Sequence, residues 1–131
     1  MGKAITDPTE LIGRHITQKS YYRSGDGTVK HNAFMPNKNG ETSVYQINGL
    51  SNEEVWEIGD RFVGAIIGRH ILGHAEIPSG SILSKSLSII PKPKPHPLHA
   101  DIMNWPESSS EKKALAIKLA AEASLKLRKA V

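Results

Sequence analysis

The chain has 131 residues, of which 38% are hydrophobic and 23% charged, a composition that suits one folded domain and excludes global disorder. It contains no cysteine, which excludes a disulfide framework and a thiolate metal site and fits a cytoplasmic protein. No apolar run approaches the ~20 residues of a membrane span, no signal-peptide core is visible, and a net charge of +4 favours polyanions only mildly.

Residues 1–10 read as a frayed start, with Asp7 held out of helix by Pro8. Leu11 to Tyr22 alternates loosely and carries Ile, Thr and Tyr, which predicts a strand. Ser24-Gly25-Asp26-Gly27 supplies a turn. Val29, His31, Ala33 and Met35 then alternate with Lys30, Asn32 and Phe34, and Ser43, Tyr45 and Ile47 alternate with Thr42, Val44 and Gln46. The Pro36–Gly40 stretch between them is loop chemistry, so the pattern predicts a hairpin.

Leu50-Ser51-Asn52-Glu53-Glu54-Val55 carries helix-start signals: a Ser51/Glu54 capping box, a Leu50/Val55 staple and acidic residues at the positive dipole end. The helix is expected from Asn52 to at least Ile58. Gly64 to Ile77 fits both periods, and its glycines at 64, 68 and 73 favour a strand over a helix. Pro78-Ser79-Gly80 reads as a turn and Ser81 to Ile90 as another strand. Prolines at 91, 93, 95 and 97 make residues 91–98 an extended connector that cannot be a central strand.

From Ser108, which pairs with Glu111 at capping-box spacing, residues 108–130 read as a long helix. Glu111, Lys118, Glu122, Lys126 and Lys129 form its polar face, and Ala116, Ile117, Ala120, Ala121, Ala123 and Leu127 its apolar one. The element order predicts one α+β domain: a mainly antiparallel sheet of about five strands with a short central helix and a long C-terminal helix packed on one face. The alanine face is expected to meet Val44, Ile47, Ile66 and Leu87.

Two imidazoles three apart with a carboxylate, His96, His99 and Asp101, have the donor types of a zinc site. Without cysteines or an HExxH helix that spacing is too unspecific to assign a metal, and no cofactor is assigned either. His31 and His99 could instead form an acid/base pair on an ester or phosphodiester, with Asp101 beside them and Lys30 or Arg14 facing the developing anion. His70, His74 and Glu76 form a second polar group. Lys19, Tyr21, Tyr22 and Arg23 interleave rings with cations as nucleic-acid platforms do, and Trp105 beside Pro106 reads as a packing anchor.

No nucleophile elbow, P-loop or dinucleotide fingerprint is present. The reading that follows is a small cytoplasmic, non-enzymatic binding or accessory protein for a protein or nucleic-acid partner, with homo-oligomerisation left open. Its candidate binding residues are Arg14, Tyr22, Arg23, Lys30, His96 and Trp105. The alternative is a histidine-dependent hydrolase or phosphodiesterase on His31, His99 and Asp101, with or without a metal.

Overall fold

A computed structural model describes residues 3–128. The fold is α+β, built on a six-stranded antiparallel sheet in the order β6-β7-β4-β1-β5-β8. In chain order the elements are β1 (Leu11–Ile16), a two-stranded ribbon of β2 (Tyr22–Arg23) and β3 (Thr28–Val29), β4 (Thr42–Gln46) and α1 (Asn52–Gly59). A π turn (Asp60–Gly64) and a short α2 (Ala65–Ile67) prolong α1. There follow β5 (Gly73–Pro78), α3 (Ser79–Leu83), β6 (Ser88–Pro91), β7 (His99–Met103), α4 (Ser109–Glu122) and β8 (Ser124–Leu127). Among the described residues no helix is long and apolar enough to cross a membrane.

The helix-start signals around Ser51 operate as written: Ser51 accepts from the Glu54 amide while the Glu54 carboxylate accepts from the Ser51 amide. The helix then runs past Gly59 to Ile67, where Gly68 stops it in the left-handed conformation. The strand expected over Gly64 to Ile77 is therefore confined to its second half. The hairpin expected between Val29–Met35 and Ser43–Ile47 does not form. Its first arm shrinks to Thr28–Val29 and turns into a 3-10 helix at His31–Ala33, because Ala33 and Phe34, adjacent in sequence, are both buried. Side chains take the carbonyls a ladder would have used: Arg14 Nε donates to Ala33 O at 2.7 Å, and Thr42 Oγ1 to Phe34 O at 2.9 Å. The strand partners of β4 are β1 and β7 instead.

Four other segments differ from expectation. Ser81 to Ile90 is split between the short α3 and β6, which lets Ile82, Leu87 and Ile89 all reach the core. The proline connector holds as a loop over 92–98, but Pro91 belongs to the edge strand β6, a position that tolerates the missing donor. Beyond the loop, His99–Met103 is strand β7. The C-terminal helix ends at Glu122, and Ser124–Leu127 turns back as β8 to pair with the free edge of β5. Lys129 and Ala130 of the expected helix lie outside the described residues. Within the segment read as a frayed start, Ile5 is buried and its amide is bonded to Ile89 O of β6 at 2.9 Å.

The pleat divides the sheet's side chains between two faces. Ile12, Ile16, Val44, Ala75, Ile77, Ile89, Ala100 and Ile102 point to one face and are buried with Phe34, Ile82 and the α4 stripe Ala116, Leu119 and Ala120. Val44 and Leu87 meet the helix side as expected, whereas Ile66 is exposed on α2 and Ile47 faces the other way. The α4 stripe is offset from the predicted face, leaving Ile117 and Ala121 exposed. On the opposite face α1 packs through Val55 over Tyr45 and Ile47, so the sheet is covered on both sides rather than one.

Candidate functional site

The face under α1 carries the titratable residues. Across the strands lie Asp101 and His99 on β7, Ser43 and Tyr45 on β4, His15 on β1, and His74 and Glu76 on β5. Strand alternation puts them there, since each is flanked in sequence by residues that enter the apolar core on the other side. The Tyr45 ring meets His15 and His99 edge-on, with centroids 5.0 and 5.3 Å away. Burial, together with the negative charge of Asp101, pushes the Tyr45 hydroxyl pKa up.

His99 is held at both nitrogens. Its Nδ1 lies 2.9 Å from Lys92 O, which only accepts, so Nδ1 carries a proton. In the neutral ring Nε2 is then the acceptor, and it receives the Ser43 hydroxyl at 2.8 Å. Asp101 Oδ1 lies 3.6 Å from the same Nε2. The Lys92 ammonium bridges Glu41 at 2.6 Å and Asp101 at 3.0 Å, and those two hydrogen bonds raise its pKa above the usual lysine value. The place between the two carboxylates is thus taken by a lysine.

His96 does not join His99 as a ligand pair. Its Nδ1 accepts from the Leu98 amide at 3.0 Å, and its ring stands edge-on to Phe62 at 4.9 Å. Among the described residues no group of three His, Cys, Asp or Glu side chains is disposed to hold a metal ion.

His15 and His74 lie side by side in the β1–β5 register, both buried. His15 Nε2 donates to Val55 O at 2.8 Å, and burial lowers its pKa to about 4. His74 is fully buried with neither ring nitrogen hydrogen-bonded; burial lowers its pKa although Glu76, 3.6 Å away, pulls the other way. His70 stands apart from them, exposed beyond Gly68 and 3.6 Å from Asp60.

The structure separates His31 from His99. His31 starts the 3-10 turn on the α4 side of the sheet, so the two imidazoles lie on opposite faces and form no acid/base pair. His31 lines an open groove of about 440 Å³ between the β2–β3 ribbon and α4, together with Arg23, Asp26, Thr28, Val29, Ile117 and neighbouring alanines. The Asp26 carboxylate is spent inside its own turn, on the Thr28 amide and hydroxyl at 3.1 and 2.6 Å.

The remaining predicted residues are packed rather than presented. Arg14 bonds Ala33 O and Ser43 O and stacks over the Tyr21 ring at 5.7 Å, so it locks β1 to its neighbours. Tyr22 and Trp105 pack on the apolar core, and Trp105 Nε1 donates to Ile102 O at 3.2 Å. Lys30 is half-buried, its amide bonded to Tyr21 O at 2.8 Å. Sequence reading missed Ser43, Lys92 and Glu41. The signal available for Ser43 was its place on the Tyr45/Ile47 side of a clean alternation, but nothing marked β7 as the neighbouring strand. Comparison with known proteins finds no matching family model, no matching curated protein and no matching solved structure. Function is therefore read from geometry.

Proposed function

We propose that the chain is a binding protein that holds an acidic, apolar-anchored peptide segment of a partner protein in the groove between the β2–β3 ribbon and α4. The observation that carries this reading is Ile117, 49% exposed on the helix that borders the groove, with no element over it among the described residues. Ala121 continues the same exposed stripe one turn on, so the rim is apolar along the helix. The opposite rim is polar: Arg23 and His31 line it, and the Asp26 carboxylate is hydrogen-bonded within its own turn, where the Thr28 hydroxyl holds its pKa down. An aliphatic anchor with a carboxylate placed to meet Arg23 fits such a groove.

A nucleic acid fits it less well. Among the described residues no Phe, Tyr or Trp side chain lines the groove, and both Tyr21 and Tyr22 pack on the core, so the His31 ring alone would offer bases a surface on which to stack.

The test is an amide-resolved NMR titration with synthetic peptides in which glutamates flank a leucine or phenylalanine. Shifts gathered at Ile117, Ala121, Arg23 and His31, and lost in Ile117→Asp and Arg23→Glu, are the expected result. Shifts scattered elsewhere, or equal in the variants, sink the reading. A mixed-sequence single-stranded oligonucleotide is titrated alongside, and binding at the groove that weakens steeply with salt would replace the protein partner by a nucleic acid.

A further inference from the structure

We propose that Ser43 is a nucleophile activated by His99, and that the chain cleaves small esters with good leaving groups at this pair. The site lies on the sheet face opposite the groove and does not depend on the peptide-binding reading.

Three features of the geometry meet the requirements of an activated serine. The Ser43 hydroxyl lies 2.8 Å from an imidazole nitrogen, within reach for proton transfer. The ring is fixed in the tautomer the reaction needs, because the Lys92 carbonyl, 2.9 Å from Nδ1, can only accept. The third group of such a constellation is a main-chain oxygen here rather than a carboxylate, and it comes from the chain entering β7. Both reacting side chains sit on neighbouring strands of the central sheet, where backbone pairing of Ser43 with Asp101 and of Tyr45 with His99 sets their offset. The edge of the Tyr45 ring, 5.3 Å from His99, leaves the imidazole little room to rotate. Ser43 itself is only half-buried, so part of the residue is open to solvent.

The reaction balances without a co-reactant other than water. Ser43 Oγ forms a bond to the ester's carbonyl carbon as its proton passes to His99 Nε2. The tetrahedral intermediate collapses by breaking the bond to the alcohol oxygen, which leaves with that proton. The acyl group remains on Ser43. Water then gives a proton to the same nitrogen and attacks the acyl carbon. Ser43 Oγ leaves, takes the proton back, and the carboxylic acid is released.

The probe is p-nitrophenyl acetate, whose aryl leaving group needs little assistance. The full chain should release a stoichiometric burst of p-nitrophenolate, with the acetyl group mapped by peptide mass spectrometry to Ser43. Ser43→Ala should abolish the burst, and His99→Gln should slow acylation by on the order of 10²-fold or more. Far-UV circular dichroism of both variants checks that they fold. Mapping on the unaltered chain stands even if they do not. Acetyl groups found only on lysines, or a burst unchanged in Ser43→Ala, would overturn the proposal.

Discussion

Under α4 the sheet buries isoleucines, valines and alanines, whereas under α1 it buries His15, His74, Tyr45, His99 and Asp101. The two faces belong to one sheet and share every backbone hydrogen bond, yet their stabilities answer to different variables. On the apolar face the favourable contribution scales with area removed from water and is indifferent to pH. On the polar face each ring must either find a partner or stay neutral, because burying a charge without one is costly. The same side chains that weaken this face as a core make it the place where chemistry can be held.

The largest effect expected on the apolar face comes from Phe34→Ala. Phe34 is fully buried between the sheet and α4, so removing its ring should cost about 3–5 kcal/mol. Urea denaturation at pH 7.5 and again at pH 5 should give the same loss, since no proton is involved. The polar face should behave otherwise. His15 has its pKa lowered from 6.5 to about 4, so between those values the unfolded chain takes up a proton the folded chain refuses. The contribution of neutral His15 is fully present above pH 6.5 and is lost as the pH falls towards 4. By pH 5 that loss should reach about 2 kcal/mol, and about 3 kcal/mol at the lower end of the window. His74, lowered in the same direction, steepens the decline. Replacing His15 with Gln should flatten the unfolding free energy across pH 5–7; an unchanged slope would show that this face is not where the acid sensitivity lies.

The apolar face was also the legible one. The alternating run Thr42–Gln46 entered strand β4, although Val29–Met35 with the same pattern did not stay a strand, and the capping signals at Ser51 and Ser108 placed both main helices. Propensity misled where tertiary contacts decided. Residues Ser124–Leu127 continue an alanine- and lysine-rich helical composition, but the open edge of β5 recruits them as a strand. His99–Met103 alternates as a strand should, yet it directly follows four spaced prolines and reads as the tail of a connector. With β7 hidden, the contact between His99 and Ser43, 56 residues apart, had no local signature. His31 failed as its partner for a related reason: the turn at His31–Ala33 replaces the strand that would have carried it to the same sheet.

The last test joins α1 to the polar face at one atom. Gly59 lies at the end of α1 with no side chain, and a Cβ there would sit 2.6 Å from His15 Cδ2 and 2.8 Å from Ile71 Cγ1. Two effects of Gly59→Ala oppose each other. Alanine in a helix gains about 1 kcal/mol over glycine, while overpacking typically costs about 1–3 kcal/mol. The clash should win, because the His15 ring is anchored to Val55 O and Tyr45 and cannot swing aside. A net destabilisation of up to about 2 kcal/mol by urea denaturation is the expected outcome. In a His15→Ala background the two imidazole contacts are gone while Ile71 Cγ1 remains 2.8 Å away, so the same substitution should cost less, a coupling of at least about 0.5 kcal/mol. Additive losses would mean that α1 rides on Ile71 alone. In that case the imidazole, although beneath the helix, would not set how closely α1 approaches the sheet.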